Sequence, residues 1–209
     1  AGSTTIKVVV SDPQNKIIYK DYRRHYADIL GNLKEILSDI LDKTGDCPVK
    51  LRITGSAGMG IAERYKVPFV QEVVASCEVV SRQFPEVKTF VDIGGEDSKM
   101  IFFKSGKTPD IRMNGSCAGG TGSFIDQMAT LLNVDMNEFN SLAEQAETIY
   151  PIASRCGVFS KTDVQNLLAR NAGKSDIAAS VFRAVSMQVI TSLARGHEPE
   201  GKVFLCGGP

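Results

Sequence analysis

Several absences narrow the reading before any motif is considered. The 209-residue sequence has no excess of either charge, with 24 Lys and Arg against 24 Asp and Glu. A balanced chain gives no electrostatic reason to expect nucleic acid or a membrane surface as a partner. No apolar run approaches the roughly 20 residues of a membrane span, and no secretory signal pattern is present. None of the five cysteines (Cys47, Cys77, Cys117, Cys156 and Cys206) forms a CxxC pair, which disfavours a zinc ribbon within one chain. Odd in number and widely spaced, they do not suggest a secreted disulfide framework either, so a reducing cytoplasm is the expected setting. There is no solenoid-period repeat and no low-complexity segment.

What is present is a chain of α/β alternation, long enough for one large domain or two small ones. Residues 6–10 and 16–22 read as an antiparallel hairpin around Ser11-Asp12-Pro13-Gln14-Asn15, a run with turn chemistry. Ile29, Leu33, Ile36, Leu37, Ile40 and Leu41 recur at helical spacing until Gly45. Residues 49–53 read as a strand entering Thr54-Gly55-Ser56-Ala57-Gly58, and 70–83 as a helix. The hairpin pattern then returns, with strands at 87–93, 100–103 and 111–113. Helices follow near 122–132, 136–146, 161–168 and 177–194, and the apolar run Val203-Phe204-Leu205 closes the series. The expected division lies near Phe84-Pro85-Glu86, giving residues 1–86 and 87–209 as two α/β lobes with a cleft between them. Both ends read as cut. A Gly2-Ser3-Thr4-Thr5 turn normally follows a strand, and a strand leading into Gly207-Gly208-Pro209 promises more chain. A fragment of a longer protein is expected, lacking a strand beside residues 6–10.

Two turns have the chemistry of phosphate handling. The first is Gly2-Ser3-Thr4-Thr5 with Lys7 close behind. The second is Asp92-Ile93-Gly94-Gly95-Glu96-Asp97-Ser98-Lys99. Glycine lets a backbone approach an anion and aim several N–H groups at it, and Ser and Thr hydroxyls add donors. An Asp at a strand end can hold Mg²⁺ through water. Either turn alone reads more readily as an ordinary hairpin turn, because such turns are common. The pairing, and the acids and Lys99 around the second pair of glycines, favour a polyphosphate. Two cysteines share a third kind of context. Cys117 precedes Ala118-Gly119-Gly120-Thr121-Gly122 and a helix, and Cys156 precedes Gly157 and a helix. A helix N-terminus favours a thiolate. Cys47, Cys77 and Cys206 read instead as small buried apolar residues.

These segments together resemble the ATP-dependent activators of 2-hydroxyacyl-CoA dehydratases and the wider BadF/BadG/BcrA/BcrD ATPases, within the actin–hexokinase–heat-shock ATPase superfamily. The resemblance implies a two-lobed, actin-like (ribonuclease H-like) α/β fold, truncated here at both ends. It assigns the Gly2, Ser3, Thr4 and Lys7 turn and the Gly94, Gly95, Ser98 and Lys99 turn to ATP or ADP. To these it adds Gly120, Thr121 and Gly122, and Gly207 and Gly208 as the start of an adenosine segment. Asp92, Glu96 and Asp97 become the catalytic carboxylates, with Mg²⁺. The family's first acidic residue would fall one position before Ala1, and a Gln is usual where Glu96 stands.

The resemblance also implies that Cys117 and Cys156, with their symmetry mates, hold one 4Fe–4S cluster shared across a homodimer. A reduced ferredoxin or flavodoxin would load the cluster. ATP would then drive transfer of one electron to a dehydratase-like partner, hydrolysis resetting the switch. Ser160-Lys161-Thr162-Asp163 is less acidic than in the better-known activators. Two other readings stay open. One is a small-molecule kinase of the same superfamily, and the other is a non-catalytic ATP-binding module in which the cysteines are merely buried.

Overall fold

β-Branched residues near the start of the chain form β1 (Thr5–Ser11), which pairs antiparallel with β2 (Ile17–Arg24). The structure is a computed structural model that describes residues 1–104, 106–114, 118–154 and 156–207. By its contacts the chain forms two units, residues 1–79 and 80–209. In the first, Ile6 and Tyr19 from the hairpin bury themselves against Ile36 of α1 (Ile29–Thr44), with Val8, Val10, Leu33 and Ile40 around them. Asp28 starts α1 by accepting a hydrogen bond from Gly31 N–H at 2.9 Å, as an N-cap should. Gly45 ends it, its N–H bonding to Leu41 O at 2.8 Å. Among the described residues β2 is the only strand paired with β1.

The strand expected at 49–53 does not form. A strand needs a ladder partner, and only Ile53 finds one, in a single parallel bridge with Phe69. Residues 45–52 are all exposed. A short 3₁₀ turn, Ser56–Gly58, runs directly into α2 (Met59–Tyr65). The sequence pattern passes over this helix because only Ala62 of its seven residues is buried. α3 (Glu72–Gln83) follows.

The second unit contains a four-stranded sheet in the order β5-β4-β3-β6, made of β3 (Val87–Ile93), β4 (Ser98–Phe102), β5 (Asp110–Asn114) and β6 (Lys202–Gly207). β3 pairs antiparallel with β4 and parallel with β6. All five residues of the inner strand β4 are buried. Four helices form the main core: α4 (Gly122–Leu132), α5 (Met136–Glu144), α6 (Gly157–Ala169) and α7 (Lys174–Val189). Phe124, Met128 and Leu132 of α4 meet Phe139 of α5, Val164 of α6 and Ile177, Val181 and Val185 of α7. α7 continues into a π-helical turn, Ile190–Ala194. A second cluster joins Val189, Leu193 and Ala194 to Val91, Met100 and Phe102 of the sheet. The helix Lys174–Ala194 is long and apolar enough, by length and composition, to cross a membrane, and 56% of its most apolar stretch is buried within the fold. Burial of that kind marks a core helix. Arg183 interrupts the apolar run in the sequence, so no span stands out there.

One arginine fixes where this helix ends. Arg112 Nη1 donates to Leu193 O at 3.0 Å and to Ala194 O. Its Nη2 donates to Asp110 Oδ2 at 2.8 Å and meets His197 Nδ1 at 3.0 Å. The guanidinium also lies 5.0 Å from the centre of the Phe102 ring. A cation on the terminal carbonyls satisfies groups that the helix leaves unpaired and opposes its dipole. The clamp ties the end of the helix to β4 and β5, and the chain then enters β6.

Hydrogen bonding from Arg112 holds the Asp110 carboxyl below its ordinary value of 3.8. A depressed carboxylate contributes stability above that value and loses it as pH falls further, through the folded-state value. Asp110→Asn is therefore expected to lower the melting temperature at pH 7. The gap between variant and wild type should close in melts taken progressively below about pH 4.

Candidate functional site

In the first unit, the Gly2-Ser3-Thr4-Thr5 turn is closed by Gly2 N–H donating to Thr5 O at 2.9 Å. It rests on the 55–58 segment. Ala1 N donates to Thr54 O at 2.7 Å and Gly58 N–H donates to Ala1 O at 3.2 Å. Gly55, with φ +92°, is the close approach that makes this possible, since a Cβ there would lie 2.3 Å from Ala1 O. Such a position admits only glycine without rearrangement. Gly2, Ser3 and Thr4 are half-buried. The Lys7 side chain runs along the hairpin, its Nζ 5.1 Å from the centre of the Tyr22 ring. Below the turn lies His25, only 5% exposed. Sequence reasoning passed over it, because its contact with the turn depends on how the end of β2 meets a segment more than twenty residues earlier.

In the second unit, β3 ends at Ile93 and the chain reverses over Gly94–Asp97, closed by Gly94 N–H donating to Asp97 O at 2.8 Å. The carbonyls of the two glycines point at the next helix. Gly122 N–H donates to Gly94 O at 2.9 Å and Ser123 N–H to Gly95 O at 2.8 Å. The turn therefore caps α4. In a trans peptide the carbonyl and the following N–H point in opposite directions. The N–H groups of Gly95 and Glu96 accordingly point away from α4, and they have no acceptor among the described residues.

The charges here are closely arranged. Lys99 is 3% exposed. Its Nζ lies 2.8 Å from Asp97 Oδ1 and 3.7 Å from Asp92 Oδ2. Burying an ammonium needs such partners. Two carboxylates and one ammonium leave a net charge of −1, which suits a divalent cation held through water. Ser98 is fully buried, and its hydroxyl has no partner among the described residues. Thr121 is also fully buried, its hydroxyl donating to Ala118 O at 2.6 Å. β6 brings the last apolar run alongside β3, pairing Cys206 with Asp92 and Gly207 with Ile93. The first glycine of the expected adenosine segment thus lies beside the base of the Gly94–Asp97 turn. Gly208 lies outside the described residues.

Cys156 occupies the N-cap position of α6 in extended conformation, half-buried, and its side chain makes no capping bond. The loop before it is held from α6 itself. Asp163 Oδ2 accepts Ala153 N–H at 2.8 Å, and the buried Ser160 donates to Ala153 O and to Cys156 O, the latter at 2.9 Å. Cys117 lies outside the described residues, yet the flanks of the two cysteine segments meet. A Cβ on Gly157 would lie 3.5 Å from Gly119 N. Among the described residues no three His, Cys, Asp or Glu side chains group as metal ligands. Cys47, expected to be buried, is exposed because the whole 45–52 stretch lies on the surface. Cys77 and Cys206 are half-buried, and burial pushes the Cys77 thiol up.

The sequence profile of the BadF/BadG/BcrA/BcrD ATPase family matches residues 1–209. The chain is 30% identical over 191 residues to the (R)-2-hydroxyglutaryl-CoA dehydratase activating ATPase of Acidaminococcus fermentans, covering 90% of this chain and 73% of that protein. It is 31% identical over 211 residues to the 2-hydroxyisocaproyl-CoA dehydratase activator of Clostridioides difficile, covering 99% and 78%. Among solved structures, an activator of the 2-hydroxyisocaproyl-CoA dehydratase with bound ADPNP superposes with a TM-score of 0.85 at 29% identity. The match covers 99% of this chain and 77% of that one.

The geometry of β6 gives a direct test. Gly207 has φ +148°, and a Cβ there would lie 2.2 Å from Ile93 O. Gly207→Ala should destabilise the second unit by about 1–3 kcal/mol. The effect should appear as a lower urea midpoint at unchanged slope.

Proposed function

The chain belongs to the BadF/BadG/BcrA/BcrD ATPase family, and from that premise we propose that it hydrolyses ATP to drive one-electron reductive activation of a dehydratase-like partner acting on a 2-hydroxyacyl-CoA. The observation that carries this reading is the pair of bonds from Gly122 N–H and Ser123 N–H to the carbonyls of Gly94 and Gly95. Those bonds join the turn that would receive the terminal phosphates to the helix that follows Cys117. Any displacement of the turn on binding or hydrolysis pulls on α4 and on the segment before it.

The roles follow from the groups available. Ser3 and Thr4 offer hydroxyl donors in the first turn, and Gly95 and Glu96 offer backbone N–H groups in the second. Asp92 and Asp97, balanced in part by Lys99, would hold Mg²⁺, which when bound neutralises charge developing on the phosphates. Lys99 keeps the two carboxylates at fixed separation. Glu96 stands at the turn's tip, where it would orient the attacking water. Gly207 would open the adenosine segment.

Cys117 and Cys156, with the same pair from a second copy, would hold a 4Fe–4S cluster, which when bound supplies a low-potential one-electron carrier. The described residues fit that use. Cys156 has a free thiol uncommitted to capping, at a helix N-terminus where negative charge is favoured, and its flank meets the flank of Cys117. Ser160 and Asp163 hold the loop that presents Cys156. The electron donor would be a reduced ferredoxin or flavodoxin.

Two experiments on anaerobically purified protein test the reading. Asp92→Asn should lower ATP turnover about a hundredfold or more while ADP affinity changes only a few-fold, since the ion's effect is concentrated in the transition state. Unchanged turnover would remove Asp92 from the site. Cys117→Ala should lose iron and dimer together while still binding nucleotide, and full iron content in that variant would end the cluster assignment.

A further inference from the structure

A nucleotide at the first turn does not by itself explain why a histidine is buried beneath that turn. His25 follows β2 and is tied to the turn at two points and to Ala27 at a third. Its backbone N–H donates to Thr4 O at 3.2 Å. Its Nε2 lies 3.1 Å from Gly2 O, and its Nδ1 lies 3.1 Å from Ala27 N. A carbonyl can only accept and a backbone N–H can only donate. The neutral ring with its proton on Nε2 is therefore the form that satisfies both ring contacts.

The backbone is strained to achieve this. Tyr26 and Ala27 have φ of +45° and +67°, and Asp28 N–H donates to His25 O at 2.7 Å. That is a type I′ turn built without Gly or Asn, in a region that side chains with a Cβ resist. Tyr26 is 85% exposed, so burial of its ring does not offset the strain. What the turn delivers is Ala27 N–H against Nδ1, which fixes the ring's tautomer and orientation.

We infer that His25 is a positioning residue for the nucleotide phosphates, holding Gly2 O beneath the turn so that Ser3 N–H faces outward as an anion donor. This rests on the nucleotide reading above. The peptide linking Gly2 to Ser3 is trans, since the described residues have no cis bond, so its N–H points opposite to its carbonyl. Gly2 O is drawn toward His25, and Ser3 N–H therefore points away from the ring. Among the described residues that N–H has no acceptor. Backbone donors of this kind, held in place by the surrounding structure, form anion-binding concavities. His25 touches no phosphate itself.

The two ring contacts can be separated by substitution. His25→Gln places an N–H donor near the Nε2 position and keeps the bond to Gly2 O. His25→Asn places an acceptor near the Nδ1 position and keeps the bond from Ala27 N–H. Each variant loses one ring contact, so a purely structural role predicts parallel losses of stability and affinity. Calorimetric titration of the full-length protein with ADP and Mg²⁺, beside urea melts, distinguishes the two. His25→Asn should weaken ADP about tenfold, while His25→Gln stays within about threefold. Equal affinities in the two variants, or losses that follow stability in both, would overturn the positioning role. If His25→Asn does not fold, the same substitution beside Ala27→Gly supplies a folded background, because glycine relieves the left-handed strain. Wild-type protein that binds no ADP overturns the nucleotide reading and this inference with it. Wild-type binding with an indifferent His25→Asn overturns this inference alone.

Discussion

Two hydrogen bonds, from the first N–H groups of α4 to the carbonyls of Gly94 and Gly95, organise the second unit. A helix start leaves several donors unpaired, and this one satisfies two of them on a turn. The turn is thereby fixed against the helix, and its remaining N–H groups are aimed the other way. The same contact sets the path of the glycine-rich segment after Cys117 and brings Gly119 beside Gly157. Side chains then add charge to a geometry that the backbone has already defined. Lys99 is buried between Asp97 and Asp92 because the hairpin sets Asp92 on β3 opposite Lys99 on β4 and leaves Asp97 at the end of the turn between them.

Legibility in the sequence followed the range of the interactions involved. The α4 boundaries were readable because a glycine-rich run supplies the start and Asn133, in the left-handed conformation, supplies the stop. The strands β3 and β4 were readable because they are apolar and flank an unmistakable turn. α6 begins four residues earlier than its apolar pattern suggests. Val158 and Phe159, 72% and 66% exposed, add nothing to a buried stripe, and it is Cys156 as N-cap that marks the start. The 49–53 run has the composition of a strand, yet composition cannot provide a ladder partner.

The candidate site was legible where it lies on local motifs and obscure where it depends on contacts distant in sequence. Both glycine-containing turns and both cysteine contexts are contiguous strings. His25, Gly55 and Gly58 are not. Their importance arises only when three separate segments converge around the first turn. Ser98 and Thr121 illustrate the converse. Both sit inside recognisable motifs, yet that both side chains are fully buried is not readable from the sequence.

The π-helical turn at the end of α7 has a wider consequence. Up to Val185 this helix packs among α4, α5 and α6, and from Val189 onward it packs on the sheet. A single element thus belongs to two cores, and the changeover occurs in the last α-helical turn before the helix widens. The helical layer and the sheet that carries the Gly94–Asp97 turn are therefore one cooperative folding unit. Loosening either core frays the same helix, and with it the anchor for β6. Energetic communication between α4, α6 and the Gly94–Asp97 turn is in this sense built into the stability of the fold, independent of any ligand.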